Sequence, residues 1–245
     1  MSIEFAPAAP TMNNARTEFR RGISDVLPAV LGVLPFALLL GAQASKKGMT
    51  PIEVALMTGL NFAGGSEFAA IQLWDSPPPA LLIVAITFLI NSRHILMGAA
   101  LAPFLRHVPL RKALPSLFFM CDESWAVSYA DTKKRASDGH HTAFSGGHYM
   151  GAGMLVYTVW IVFTALGAWI GPRLGDIEAL GFGMAFPAVF LVLLSGMWKG
   201  FRPALPWLVS LIVAAVTYRL VPGAWYVLTG ALSGLAGAYC LGAEK

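Results

Sequence analysis

An all-α integral membrane protein, a polytopic bundle of seven or eight transmembrane segments, is the fold class this chain predicts. Three observations point there. Of the 245 residues, 56% are hydrophobic and only 12% charged, against about 25% charged in a soluble domain. Mean hydropathy is +0.65, and apolar runs alternate with short polar connectors without the two-residue alternation of a barrel strand, so helices do the spanning. One apolar run, 51–74, is interrupted by Asn-Phe-Ala-Gly-Gly-Ser-Glu-Phe at 61–68, which predicts a broken helix there. Gly64 and Gly65 are each about 1 kcal/mol worse than alanine in a helix. In lipid a break survives only where it is packed in protein or lines a cavity.

Taken in order, residues 1–20 read as a disordered tail, with no basic start and apolar core of a signal peptide, and 21–245 as a single transmembrane domain. The first span, 22–45, carries Asp25, Pro28, Pro35 and Gln43, and its prolines predict kinks. The broken span 51–74 follows. Beyond a proline-rich connector comes 80–105, with Asn91-Ser92-Arg93-His94 at its centre, and then a shorter run, 113–130, containing Cys121-Asp122-Glu123-Ser124. The stretch 131–148 is the longest hydrophilic loop, and its histidines His140, His141 and His148 read as solvated. Spans are predicted at 149–170, 179–198, 203–221 and 223–241. The total is eight if 51–74 crosses fully and seven if it is re-entrant. Pro-Ala-Val recurs at 28–30 and 187–189, a weak sign of an internal repeat.

The net charge of +4 follows span ends and does not point to nucleic acid. With eight spans and a cytoplasmic N-terminus, nine Lys and Arg fall inside and seven outside, leaving Arg93 in the membrane. That positive-inside bias is weak. Cys121 and Cys240 lie in apolar segments without CxxC spacing and read as packing residues, with neither a disulfide nor a metal site.

Buried charge is the functional signal. Arg93 and Asp122 fall near the midpoints of sequential spans, so one bilayer places a cation and an anion at similar heights. An unpaired charge at that depth costs at least about 2.5–3.5 kcal/mol, so pairing is expected. A polar pathway is therefore read through Asn61, Gly64, Gly65, Ser66, Glu67, Asn91, Arg93, His94, Asp122 and Glu123. The bland counterpart is an internal ion-pair network that sets helix register, with the glycines as a close-packing face. A carboxylate beside the break, Glu67, suits a proton carrier or an ammonium ligand, or else reaches an aqueous vestibule. Rival classes are a cation or metal transporter using Glu67, His94, Asp122 and Glu123, disfavoured by Arg93 among those ligands, and an intramembrane hydrolase with Ser66, His94 and Asp122 as its triad. No cofactor is implied, and no nucleotide-binding loop is present.

Four motifs in order carry a family resemblance: Gly22 through Pro28 with Pro35 and Gly41, Phe62-Ala63-Gly64-Gly65-Ser66-Glu67-Phe68, Asn91-Ser92-Arg93-His94, and Asp122-Glu123-Ser124-Trp125-Ala126. The chain resembles the AzlC family of branched-chain amino acid permeases over about residues 20–240. The resemblance implies export of branched-chain amino acids across the bacterial inner membrane by a multi-pass protein, together with a small AzlD-type membrane subunit. It also implies that Arg93, His94, Asp122 and Glu123 fall on the family's recurrent polar positions. Glu67 departs from the family, which commonly has glutamine there; the added carboxylate bears on substrate identity and ion coupling.

Overall fold

Two long helices, α1 (Met12–Lys46) and α8 (Gly146–Ile170), form the spine around which the first half of the chain is packed. The computed structural model describes residues 12–139, 142–173, 200–221 and 225–242. Glycines let the two backbones meet. A Cβ at Gly22 would strike the His148 carbonyl, and one at Gly151 the Phe19 carbonyl. Farther along, Gly41 faces the Thr164 carbonyl and Gly167 the Leu38 carbonyl. Low-numbered residues of α1 thus meet low-numbered residues of α8, and high meet high. The helices run parallel. A 3₁₀ turn, Gly171–Arg173, ends α8 beside Ala42 and Ser45.

The predicted broken span is two helices, α2 (Pro51–Asn61) and α3 (Gly64–Gln72). Its break lies one step before the glycines: Phe62 adopts φ 48°, ψ 50°, and Ala63 φ −147°, ψ 75°. Gly64 and Gly65 are instead the first two residues of α3. Glycine is used at 64 for room, because a Cβ there would lie 2.9 Å from Cζ2 of Trp160. At 50–53 the start of α2 is secured by a capping box, Thr50 and Glu53 bonding each other's backbone.

The pair α2–α3 folds back on itself. Thr58 on α2 bonds Thr164 (3.0 Å), Phe62 at the tip packs on Tyr157 (5.1 Å), and Phe68 on α3 returns to Phe36 of α1 (6.4 Å). Beyond α3, Asp75 reaches Lys47 at the end of α1 (3.7 Å). Both ends of 51–74 therefore sit at the Gly171 end of the spine. This is the re-entrant alternative, and it corrects the fully crossing one.

Helices α4 (Ala80–Asn91) and α5 (Arg93–Leu105) form one rod with a single tightened turn at Ser92, whose φ −56°, ψ −22° keep it helical. From Asp75 at one end of the spine it descends to Leu101, which joins Met97, Met120, Phe144 and Tyr149 in a hydrophobic cluster at the other. The predicted span 113–130 is replaced by a second hairpin, α6 (Leu110–Leu117) and α7 (Asp122–Ser137). Val108, before α6, packs on the Tyr149 cluster. The tip residues Phe118 and Phe119 climb to Tyr157 (5.7 and 5.3 Å), and α7 returns to bond Arg21 and Glu18 of α1. It enters from the His148 end, opposite to α2–α3. Rod followed by hairpin thus occurs twice, in opposite directions, an inverted arrangement of the kind found in transporters.

Several sequence expectations change accordingly. Residues 12–20 belong to α1 rather than to a tail, because Glu18 and Arg21 are tied to α7 and α8. The hydrophilic stretch from 131 continues α7 to Ser137, with Asp131 turned onto Arg21. His148, expected in solvent, is in the first turn of α8 and 1% exposed. The predicted span 179–198, the Pro-Ala-Val at 187–189, His140 and His141 lie outside the described residues.

The described chain falls into two compact units that meet between Gly175 and Asp176 in sequence, where one domain was expected. In the second, α9 (Phe201–Leu220) and α10 (Trp225–Gly242) form a helical hairpin. Small residues pack it: Gly230 faces Ala214 and Gly234 faces Ser210, whose hydroxyl donates to the Gly230 carbonyl at 2.7 Å. Described residues are helical or irregular, without strands. Among the described residues four helices are long and apolar enough to cross a membrane: Ala15–Lys46, Ala80–Leu105, Gly146–Arg173 and Phe201–Leu220. Their outward faces carry bare Leu81, Phe88, Ile95 and Leu211, the pattern of surfaces that face lipid.

Candidate functional site

Both hairpin tips reach the same level, that of Gly153 to Trp160 near the middle of α8, and they meet there. Phe62 and Phe118 come within 6.4 Å, with Tyr157 between them; its hydroxyl donates to the Gly59 carbonyl at 2.9 Å and pins the last turn of α2. Between the tips passes the Ser92 turn of the α4–α5 rod. Asn91 Nδ2 donates to Asn61 Oδ1 at 3.4 Å, and Arg93 pairs with Asp122 at 2.7 Å. The cation and anion that the depth argument put at one height are in contact.

Each tip needs side chains because its backbone ladder is broken. At the first, Glu67 reaches back: Oε1 accepts from the Ala63 N–H (3.0 Å) and Oε2 from Trp160 Nε1–H (2.8 Å). Ser66 Oγ donates to the Ala63 carbonyl (2.9 Å) and accepts from Asn61 Nδ2 (3.0 Å). Glu67 is 1% exposed with both oxygens occupied, so it reaches no vestibule and fastens the tip instead. At the second tip Ser124 plays the part of Ser66: its hydroxyl donates to the Phe119 carbonyl (2.9 Å) and accepts from the Cys121 N–H (3.0 Å). Ser66 and Ser124 are both the third residue of their helices, α3 and α7. The spacing Ala63-Gly-Gly-Ser and Cys121-Asp-Glu-Ser was a legible sign of the repeated tip.

The Arg93–Asp122 pair is accessible, with side chains 37% and 52% exposed. Asp122 and half-buried Glu123 open α7, where carboxylates suit the positive end of a helix. Two buried atoms beside the pair, Arg93 Nε and Asn91 Oδ1, have no hydrogen-bond partner. Unsatisfied buried donors and acceptors cost about 1–3 kcal/mol each, so a fitting ligand would gain by meeting them. His94 turns back on its own helix, Nδ1 lying 3.0 Å from the Asn91 carbonyl. A carbonyl only accepts, so Nδ1 carries the proton.

All ten residues of the predicted pathway therefore gather around the two tips, but in two layers. Asn61, Ser66 and Glu67 fasten the first tip and the glycines make space for it; a Cβ at Gly65 would lie 3.9 Å from the Arg93 guanidinium. Asn91, Arg93, Asp122 and Glu123 line the accessible side. The hydrolase triad is not assembled: Ser66 serves Ala63, His94 serves Asn91 and Asp122 serves Arg93. Among the described residues no three His, Cys, Asp or Glu side chains come together to hold a metal ion.

A second polar assembly was missed. At the His148 end, Arg21 donates to Asp131 through Nη1 and Nη2 (2.6 and 3.1 Å) and to Glu18 at 2.7 Å. Glu18 also accepts from Arg135 (3.0 Å) and Ser145 (2.6 Å), and His148 Nε2 lies 3.1 Å from Asp25. The signal available in sequence was Glu18, Arg21 and Asp25 at helical spacing, which places all three near one face of α1.

Comparisons with known proteins identify the family of the chain. Residues 28–174 match the model of the family described as AzlC protein, a range that holds both hairpins. An uncharacterized membrane protein of Archaeoglobus fulgidus is 33% identical over 186 residues, 74% of this chain and 77% of that one. Inner membrane protein YgaZ of Escherichia coli K12 is 26% identical, covering 92% of this chain and 93% of its own. Branched-chain amino acid transport protein AzlC of Bacillus subtilis 168 is 24% identical, covering 93% and 88%. No solved structure matches the chain. By the extent of the family match and the identity to its relatives, the chain is a member of the AzlC family of membrane transport proteins.

Proposed function

We propose that the protein exports branched-chain or related hydrophobic amino acids across the inner membrane of a bacterium, driven by an ion gradient and assembled with a small AzlD-like membrane subunit. The name of the Bacillus relative supports the substrate class. The observation that carries the reading is the accessible Arg93–Asp122 pair between two opposed hairpin tips, with Arg93 Nε and Asn91 Oδ1 unpartnered beside it. An amino acid zwitterion brings one charge of each sign. It can divide the pair, its carboxylate on Arg93 and its ammonium on Asp122, without changing the net charge in the site. Phe62, Phe118 and Tyr157, clustered where the same two tips meet, offer an apolar surface suited to an aliphatic side chain.

The topology that goes with this function has, among the described residues, crossings by α1, α4–α5, α8, α9 and α10. Hairpins α2–α3 and α6–α7 enter from opposite sides without crossing. The parallel course of α1 and α8 supports it, because parallel rods require an odd number of crossings between them, and α4–α5 is one. The test is uptake and efflux of labelled leucine, valine and methionine in proteoliposomes, with and without the small subunit. Movement of valine or leucine that is abolished in Arg93→Gln is expected. Failure to move any amino acid with the subunit present would sink the reading.

A further inference from the structure

The course of the α6–α7 hairpin decides on which side of the membrane three basic residues lie. Had 113–130 crossed, Arg106, Arg111 and Lys112 would share a side with Lys46 and Lys47. Because α7 returns to α1 instead, they sit at the His148 end, where Phe104, Leu105 and Val108 pack on the Tyr149 cluster. Arg16, Arg20 and Arg21 on α1 are at that end as well. So are Lys133, Lys134 and Arg135 on α7, held there by the Asp131–Arg21 and Arg135–Glu18 pairs. Nine Lys and Arg among the described residues of the first unit thus lie at the His148 end, against three at the Gly171 end: Lys46, Lys47 and Arg173. The near balance that eight crossings imply becomes a strong asymmetry, of the kind that marks the cytoplasmic side.

The two ends also differ in how their cations are occupied. At the Gly171 end Lys47 meets Asp75 at 3.7 Å, and Arg173 donates to the Trp169 carbonyl at 2.7 Å while lying 4.2 Å from the centre of its ring. At the His148 end Glu18, Asp25 and Asp131 are taken up by Arg21, Arg135 and His148. Arg16, Arg20, Lys133, Lys134 and the three basic residues beside α6 are exposed and form no ion pair among the described residues. Helix α6 shows what these cations face. Its Ala113 is buried and its Leu117 packs on the Tyr149 cluster, which turns Leu110, Leu114 and Phe118 outward, four residues apart on one face. Leu110 is 73% exposed and Leu114 64%. Such a stripe suits acyl chains, and Arg111 and Lys112 at its foot, beside Arg106, then fall at the depth of the headgroups.

We propose that the His148 end is the cytoplasmic face and that Arg106, Arg111 and Lys112, at the foot of α6, form a docking surface for anionic phospholipid headgroups of the inner leaflet. The apolar stripe fixes the depth of α6, and the unpaired cations below it take the phosphates. The α6–α7 hairpin, with Asp122 at its tip, then enters from the cytoplasm and α2–α3 from the opposite side. This rests on the crossing course given above for α1, α4–α5 and α8, and not on what the protein moves.

Orientation is tested on the full chain in bacterial cells, with Cys240→Ser removing the exposed cysteine and buried Cys121 retained. One reporter cysteine is placed at either end, by Ser76→Cys or Ala136→Cys, both at exposed positions. A membrane-impermeant maleimide added to spheroplasts should label Ser76→Cys at once and Ala136→Cys only after the cells are opened. The reverse pattern overturns the orientation. Labelling of both from one side overturns it too, and takes the crossing course with it. The lipid surface is tested by melting the purified protein in nanodiscs of phosphatidylcholine with and without phosphatidylglycerol. The melting temperature of wild type should rise by several degrees with the anionic lipid. That rise should be at least halved in the triple variant Arg106→Gln, Arg111→Gln, Lys112→Gln, and kept in Lys47→Gln with Arg173→Gln at the other end. Should the triple variant not fold, Lys112→Gln alone carries the comparison and should lose part of the rise. An equal rise in wild type and in the α6 variant overturns the docking surface, and so does the same rise from inorganic phosphate in phosphatidylcholine discs. Neither measurement depends on amino acid movement, so a failure of transport leaves both results standing.

Discussion

The α1–α8 spine and the two hairpin tips use the same residue types for opposite purposes. In the spine the helices run without interruption, and glycine serves to bring the two together: Gly22, Gly41, Gly151 and Gly167 each face a carbonyl of the partner helix. At the tips the ladder is interrupted, and polar side chains supply what it lacks. Glu67 takes the Ala63 N–H, Ser124 takes the Cys121 N–H, and His94 serves the Asn91 carbonyl where the α4–α5 turn tightens. The spine is therefore rigid by contact, whereas the tips are held by a few hydrogen bonds that a ligand or a proton can exchange. The proposed function is placed in the second kind of region, because bonds with alternatives allow two arrangements at similar energy.

The largest effect that separates the two regions is expected at Gly41. Gly41→Ala drives a Cβ into the Thr164 backbone, an overpacking of about 1–3 kcal/mol or more, while Gly32→Ala meets nothing within 4 Å. Yield and melting temperature of the two variants should differ widely; equal values would mean that the spine is not close-packed. The next concerns the first tip. Glu67→Gln retains one acceptor oxygen for two donors, so either the Ala63 N–H or Trp160 Nε1–H is left without an acceptor, at about 1–3 kcal/mol. Trp160→Phe added to Glu67→Gln should then cost less than Trp160→Phe alone. Strict additivity in that double-mutant cycle would break the link.

The smallest stability effect is expected at the second tip. Asp122→Asn leaves Arg93 without its counter-charge, but both side chains are partly exposed. The loss is then on the order of 1 kcal/mol, well short of a fully buried pair. Transport should nevertheless be abolished, and Arg93→Gln with Asp122→Asn should recover yield while remaining inactive. Full transport by that double variant would remove the pair from the site and leave it a structural tie.

Much of the site was legible because charge in an apolar run is rare and must be paired. Arg93 and Asp122 were matched from their depths alone, and they are in contact at 2.7 Å. The break was placed within two residues, but its cause was misassigned: Gly64 and Gly65 suggested the discontinuity, while Phe62 takes the left-handed conformation. Glycine propensity says where a helix is weak, and only the packing of Phe62 on Tyr157 and Phe118 says where it yields. His148 was misread because a histidine beside a hydrophilic stretch looks solvated until the close approach of α1 at Gly22 is known. Glu18 and Arg21 were assigned to a tail or its edge for the same reason: their partners, Asp131, Arg135 and Ser145, lie more than a hundred residues away.

Composition and hydropathy determined by themselves that this is a helical membrane protein with charge in its interior, since both depend only on how much apolar surface each segment carries. They also determined which residues needed partners. Whether an apolar segment crosses or turns back was decided by tertiary structure alone. The run 51–74 has the length and composition of a span in either case, and only the return of Phe68 to Phe36 and of Asp75 to Lys47 shows that it folds over. Direction is a property of contacts between distant parts of the chain, and a hydrophobic pattern, being local, carries no record of it.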